Sequence, residues 1–405
     1  MADPIIIIGA GPTGLTTALS LGMADIPVLV LEAEQQLTHD LRAGAFHPPT
    51  IEMLDRLGAA ERMFAAGGLP HAHWQLRDRV EGLVADFDLN LLADETRFPY
   101  RLHLEQHRLT PILLDLIRTT TPSVEVQFGQ RVTAVNPDSD GVTVETASDT
   151  FRGRYAIGCE GVRSVVREAM GVNYEGFTWE DRYLATSTSY QLHDLGFAGA
   201  GYISDPEAWA AVFHVPDTGP PGIWRIVYPI GPEVDEKQEL QPENLQKKLF
   251  HILGSANPEP PGGVFPLHYN SIYRVHQRVA TCFARDRLIV AGDAAHANNP
   301  LGGLGLNSGI HDAVNISAKL IEIWHNGADS VELFDRYDRQ RRPIHHKHIQ
   351  AMSIRNKRML EERDPVVRRQ NLDEQRAIAE DPVRARAYLM ETSMINSVRE
   401  AAEIE

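Results

Sequence analysis

Cysteine is almost missing from this chain: Cys159 and Cys282 are the only two in 405 residues. They form no CxxC pair, and two thiols cannot build a disulfide framework. Long apolar runs are missing too, since no stretch approaches the ~20 residues that span a bilayer. No basic region precedes Pro4-Ile-Ile-Ile-Ile, so no secretory signal is expected. Positive charge is scarce. With 39 Lys and Arg against 55 Asp and Glu, the formal charge is −16, which argues against nucleic-acid binding and against docking on anionic lipid. Internal repeats and low-complexity tracts are absent. What remains, with 43% hydrophobic and 23% charged residues, is ordinary globular composition. A cytoplasmic, soluble, metal-free protein is expected, long enough for two domains that interleave.

Two glycine-rich loops stand out against this background. The first is Gly9-Ala-Gly11-Pro-Thr13-Gly14. It follows the β-branched run Pro4–Ile8, which reads as a strand buried on both faces, and it opens the helical pattern LTTALSLGMADI. A second buried strand, PVLVLE, ends at Glu32. The three glycines serve different ends: a tight turn at Gly9, close backbone approach to a pyrophosphate at Gly11, and helix–strand packing at Gly14. Glu32 stands where an acid accepts hydrogen bonds from adenosine ribose hydroxyls. Dinucleotide binding follows. The second loop, GDAAHANNPLGGLGLNSGIHDA at 292–313, comes after another buried strand, LIVAG. Asp293 at its start can bind sugar-alcohol hydroxyls of a ligand extended from the first loop. A helix beginning near Gly305 would then place its positive end at the ligand's far end, where reduced flavin carries negative charge. Two loops for two ends of one long cofactor suit FAD better than NAD.

With these blocks the chain resembles the single-component FAD-dependent monooxygenases typified by para-hydroxybenzoate hydroxylase. The blocks are Gly9-x-Gly11-x-x-Gly14 with Glu32, then Gly158-Cys-Glu-Gly161-Val-Arg-Ser-Val-Val-Arg167, then Gly292-Asp293 through Pro300, Gly305, Leu306 and Asn307. Arg42 resembles the family's arginine at the flavin phosphate and ribityl region, and Gln106 its glutamine beside the ribityl chain. One departure is visible: Glu160 replaces the family aspartate of the second block, which puts its nicotinamide contact in question. Arg163 and Arg167 read equally as a solvated helix face or as nicotinamide contacts. The resemblance implies a Rossmann-like, parallel-sheet FAD-binding domain from 1–70, 100–180 and 277–340. It is interleaved with a mostly antiparallel substrate-binding sheet from 71–99 and 181–276. A charged helical segment, 341–405, follows and reads as a solvated face or a dimer contact.

The implied activity is NAD(P)H-dependent hydroxylation of a small electron-rich aromatic, phenolic or hydroxypyridine-like, through a flavin C4a-hydroperoxide. FAD, O2 and NADH or NADPH as transient co-substrate are implied with it, in a monomer or homodimer. Epoxidation or Baeyer–Villiger oxidation of a polycyclic metabolite, or a non-oxygenating flavin reductase, stay open. A halogenase is disfavoured because no WxWxIP segment occurs. Activating a phenol calls for a base with a pKa near the working pH, in a site that excludes water. His47, close behind Arg42 and stiffened by Pro48-Pro49, is the first candidate. Pro300 resembles the family proline whose carbonyl lies near the site of hydroxylation. His214, Arg225 and Tyr228 on strand-like segments, with Tyr202 and Tyr190 behind them, are candidate substrate contacts. His296 is expected to order the loop after Asp293. His71 and His73 lack the third ligand that a metal would need.

Overall fold

The computed structural model describes residues 3–38 and 44–405, so Arg42 lies outside the described residues. Its first layer is a six-stranded sheet in the order Ala284–Arg285, Leu288–Val290, Tyr155–Gly158, Ile5–Ile8, Val28–Leu31, Val124–Gln127. All neighbours are parallel except the short edge strand Ala284–Arg285. Ile5, Ile6 and Ile7 have no exposed surface, as a strand covered by helices on both faces requires. Because the strands run parallel, the loops after Ile8, Leu31, Gly158 and Val290 all emerge at one edge, where ligands of open α/β sheets bind. Three distant stretches of sequence meet there for that reason alone.

The second layer is an eight-stranded sheet running from His296–Ala297 through Leu267–Ala280, Tyr174–Thr188, Ile223–Ile230, Ala210–Val215, Ala200–Ser204 and His73–Asp78 to Gly82–Asp88. Only the pairing of Ala200–Ser204 with His73–Asp78 is parallel. Side chains alternate between its faces. One face packs Leu184, Ile203, Trp224, Ile226 and Tyr228 against Leu245, Leu249 and Ile252 of the helix Pro242–Ile252. Those three helix positions recur at the spacing of one apolar stripe. The other face carries Trp74, Leu76, Tyr183, Tyr202, Ala211 and Val227, and packs on Leu301, Leu372 and Leu389.

That contact gives the tail a buried apolar face besides the charged, partly exposed one. Leu372, Ala385, Leu389 and Ile395 belong to the sheet's own core. The charge of the tail is paired within the chain: Arg368 with Asp78, Arg369 with Glu81, Arg386 with Asp94 and Glu95, and Arg399 with Glu95. The acids of 78–95 and the arginines of the tail, far apart in the sequence, become partners only once they are folded together.

Candidate active site

At the shared strand edge, Gly9 has φ +103° and a Cβ there would lie 2.7 Å from the Cys159 carbonyl oxygen. A Cβ on Gly14 would lie 2.0 Å from the Gly9 carbonyl. Both positions are closed to side chains by backbone. Gly11 differs: a Cβ there would meet nothing within 4 Å. Its glycine therefore leaves open space beside the start of the helix Pro12–Gly22, whose N-terminus has no side-chain cap. Uncapped N–H groups with open space before them suit a pyrophosphate. Glu32 ends the neighbouring strand and accepts the Ala10 N–H at 2.7 Å and the Glu34 N–H at 2.9 Å. Its carboxylate is thereby aimed, with lone pairs left for ribose hydroxyls.

The far loop is held by a buried network. Asp312, on the helix Leu304–Asn326, accepts His296 Nε2 at 2.6 Å, Arg341 Nε at 2.6 Å and the Gly292 N–H at 3.0 Å. His296 and Arg341, its two charge partners, hold the Asp312 carboxyl down at about 2 against the cost of burial. Arg341 also reaches the Ser308 carbonyl and hydroxyl, and His345 stacks on His296 at 3.9 Å between ring centres. Thr13 closes the join: Cβ atoms on Gly292 or Gly309 would lie 2.7 and 2.5 Å from its hydroxyl. Arg167, an open question between solvated face and nicotinamide contact, is a buried brace instead. It donates to the Ala294 carbonyl at 2.9 Å and the Val162 carbonyl at 2.7 Å, over the ring of Tyr174. Arg163 is exposed. Glu160 turns back onto its own loop, accepting the Ser164 hydroxyl at 2.9 Å and the Val166 N–H at 3.0 Å, and burial raises its carboxyl pKa.

Pro300 begins a turn in which its carbonyl accepts the Gly303 N–H at 3.0 Å. Gly302 and Gly303 take φ +102° and +67°, values that L side chains rarely adopt. The helix Leu304–Asn326 starts directly after, again with no side-chain cap, and half-buried Gly305 and Leu306 lie in its first turn. Asn307 pins this turn to the chain's first third. Its Nδ2 donates to the Ala45 and Gly303 carbonyls at 2.8 and 2.6 Å, and its Oδ1 accepts the His47 N–H at 2.9 Å. His47 is fully buried and donates from Nε2 to the Gly302 carbonyl at 2.8 Å. Burial pulls its pKa down to about 3, the Arg101 charge adds to this, and the Gly302 carbonyl opposes it. The ring is neutral, so Nδ1, buried and unpartnered among the described residues, is an acceptor. Asp293 is exposed at the loop's start and its carbonyl accepts the Tyr174 hydroxyl; Gln106 is half-buried at the head of the helix Gln106–Thr120.

Tyr202 approaches the same turn from the sheet: the Gly302 backbone and the Asn356 side chain act on its hydroxyl. Arg225 is on the same sheet face, within the field of Glu105. Tyr228 and His214 are not. On a strand, residues three apart point to opposite faces, and Tyr228 lies beside Trp224 in the core under the helix Pro242–Ile252. His214 pairs with Trp224 in register, and its Nε2 donates to the Pro221 carbonyl at 2.8 Å. Tyr190 belongs to that core as well, its hydroxyl accepting the Glu259 N–H. The strand's period of two thus separates His214 and Tyr228 from Tyr202, against the expectation that all three line one pocket.

Arg101 is not among the candidates read from the sequence, and it is central here. It opens the strand Arg101–His103, 7% exposed, with Nε unpartnered among the described residues. In PYRLHLEQ the polar residues Arg101, His103 and Glu105 alternate with leucines, and all three are buried. Three polar residues at period two are the available signal of a polar cavity wall. Among the described residues no group of three or more His, Cys, Asp or Glu is placed to hold a metal ion. No helix among them is long and apolar enough to cross a membrane.

Comparison with known proteins agrees with this geometry. A family model described as an FAD binding domain matches residues 3–352. A para-nitrophenol 4-monooxygenase of Pseudomonas sp. (strain WBC-3) is 33% identical over 404 residues, covering 98% of this chain and 97% of the relative. A 6-hydroxy-3-succinoylpyridine 3-monooxygenase of Pseudomonas putida (strain DSM 28022 / S16) is 33% identical over 361 residues, 88% of this chain and 87% of the relative. The crystal structure of p-nitrophenol 4-monooxygenase from Pseudomonas putida DLL-E4 matches with a TM-score of 0.91 at 32% identity, covering 98% of each chain. The chain belongs to the FAD-binding-domain family, among the single-component aromatic hydroxylases of the para-hydroxybenzoate hydroxylase type, and is an FAD-dependent monooxygenase.

Proposed function

We propose that the protein hydroxylates a small phenol or hydroxypyridine at the expense of NADH or NADPH. The observation that carries this reading is the meeting of the Pro300–Gly303 turn with Tyr202 and Arg101, in a chain alike over its whole length to a p-nitrophenol 4-monooxygenase. FAD, when bound, would supply the redox chemistry: hydride acceptance from reduced nicotinamide and activation of dioxygen, one oxygen atom going to the ring and the other leaving as water.

The chain's own residues then have defined work. Gly9, Gly11, Thr13 and Gly14 with Glu32 would hold the adenosine and pyrophosphate end, and Asp293, Gly305, Leu306 and Asn307 would frame the far end, with Gln106 beside them. The uncapped positive end of the helix Leu304–Asn326 would stabilise negative charge on a reduced flavin bound there. His47 fixes the Gly302 carbonyl through Nε2 and offers Nδ1 to a substrate hydroxyl. With a pKa near 3 it does not retain a proton at neutral pH, so it orients the hydroxyl rather than storing its proton. Tyr202, Trp74 and Leu301 supply an apolar wall that excludes water.

The test is oxygen and nicotinamide consumption by FAD-loaded protein with p-nitrophenol, hydroxybenzoates and hydroxypyridines. Stimulated consumption of both, with a hydroxylated product, is expected. If no aromatic raises oxygen uptake above the basal rate, the reading is wrong.

A further inference from the structure

The turn Pro300–Gly303 has little to hold it from within. Pro300 has no N–H to donate, and Gly302 and Gly303 carry no side chains. Its orientation is therefore set by the residues that flank it. Asn307 pins one side, to the Ala45 and Gly303 carbonyls and the His47 N–H. The other side is held by Asn299, through partners that lie outside both glycine-rich loops.

Asn299, Gln277 and Ser353 have no exposed surface. They come from three places: the loop before the turn, the long strand Leu267–Ala280 and the helix Ala351–Leu360 of the C-terminal segment. Asn299 Nδ2 donates to the Ser353 carbonyl at 3.0 Å and to Gln277 Oε1 at 3.3 Å, and its Oδ1 accepts the Leu301 N–H at 3.1 Å. Gln277 Oε1 also accepts the Asn299 N–H at 3.1 Å, while its Nε2 donates to the Ser353 hydroxyl at 3.1 Å. That hydroxyl donates in turn to the Gln350 carbonyl at 3.1 Å. Leu304, the first residue of the helix after the turn, packs on Ile349, Met352 and Met394 of the same C-terminal segment.

Polar side chains buried this completely are costly unless each finds partners, and a fully paired set specifies one arrangement. Here both N–H groups flanking Pro300 are held, that of Asn299 by Gln277 and that of Leu301 by Asn299 itself. A residue before proline is confined to extended backbone, so fixing Asn299 by backbone and side chain fixes the direction in which the turn leaves. The helix Leu304–Asn326 begins where the turn ends, and the aim of its uncapped N–H groups depends on that direction.

We propose that Asn299, Gln277 and Ser353 are positioning residues for the flavin: they lock the turn so that the start of the helix Leu304–Asn326 stays aimed at negative charge on the reduced ring. The C-terminal segment then acts on the far end of the cofactor through Asn299. Loosening the turn weakens the hold on the reduced, charged ring and leaves the oxidised, neutral ring little affected. The device concerns the cofactor alone and is independent of which aromatic the protein oxidises.

The experiment is the two-electron reduction potential of the bound FAD, measured beside the thermal midpoint of the FAD-loaded protein. Asn299→Ala should weaken binding of reduced relative to oxidised FAD about threefold or more, a fall in potential of about 15 mV. Ser353→Ala, 54 residues further along the chain, should move the potential in the same direction by less. Ser353→Thr keeps the hydroxyl and should keep the parent's potential, whatever its added methyl does to the midpoint. Leu249→Ala opens a cavity under the other face of the second sheet; it should lower the midpoint and leave the potential alone. If Asn299→Ala does not fold, the two Ser353 variants decide. A Ser353→Ala potential equal to or above the parent's overturns the proposal, as does a folded Asn299→Ala protein with the parent's potential. So does a shift in Ser353→Thr or Leu249→Ala as large as that in Ser353→Ala, since the network then supports the fold and nothing more.

Discussion

Two buried arginines divide the molecule by purpose. Arg341, 3% exposed, donates to Asp312 and Ser308 behind the far loop. Arg101, 7% exposed, faces tyrosine hydroxyls and neutral imidazoles in front of it. The first region is closed electrostatically and holds the loop in place. The second is left without an anion among the described residues. Burial alone therefore does not tell structural from functional residues; the balance of charge around them does.

The contrast can be broken most directly at the two arginines themselves. Arg341→Met leaves Asp312 buried without its cation and should cost about 3–5 kcal/mol, read as a large fall in thermal midpoint of the FAD-loaded protein. Arg101→Met removes a charge with no anion beside it among the described residues, and should leave the midpoint equal or higher. Comparable losses of stability in both would erase the distinction.

A smaller effect separates the two kinds of glycine in the first loop. Gly11→Ala meets no protein atom and should keep the fold while FAD affinity drops about 10-fold or more, as expected when a methyl occupies the phosphate's approach. Gly14→Ala drives a Cβ into the Gly9 carbonyl and should lose stability and FAD together. Flavin content and thermal midpoint, measured side by side, distinguish them.

Acid should weaken the site gradually. His47 and His311 are held at about 3, and His71 and His214 at about 4, by burial in each case. Folded values below the ordinary 6.5 mean that the unfolded chain takes up protons first as pH falls. The stability these rings contribute is whole above about 6.5 and drains between there and about 3. FAD retention followed from about pH 7.5 down to about 5, within that window, should decline without a sharp step; flat retention would contradict neutral burial. The smallest effect has the opposite sign. His348 bridges Glu391 at 2.9 Å and Glu400 at 2.8 Å, which raise its pKa. Its contribution is full below about 6.5 and fades as pH rises through the folded value. His348→Gln should therefore lower the midpoint at about pH 6 and change it less at about pH 9.

Much of this is legible in the sequence because it is local. Ile5–Ile8, the first glycine loop and Glu32 are one contiguous βα unit, and the helix after Gly303 announces itself by its glycines. The site's other half is harder to read. His47 stands out beside Pro48-Pro49, yet only its burial shows that it is neutral. His214, Arg225 and Tyr228 look alike as polar residues on strand patterns, although the period of two already sends Arg225 to the opposite face from Tyr228. Arg101 escapes notice because an arginine in a strand pattern reads as solvated until its neighbours are known.

By itself the sequence determined the glycine-rich loops and the parallel sheet, since φ > 0 turns, β-branched runs and uncapped helix starts depend on residues close along the chain. Charge pairing was left to the tertiary structure. Asp312 and Arg341 are 29 residues apart, Arg368 and Asp78 are 290 apart, and a cation's partner, or its lack of one, exists only when distant elements pack and water is excluded. For that reason the fold decided which buried arginine has an anion beside it and which has none among the described residues.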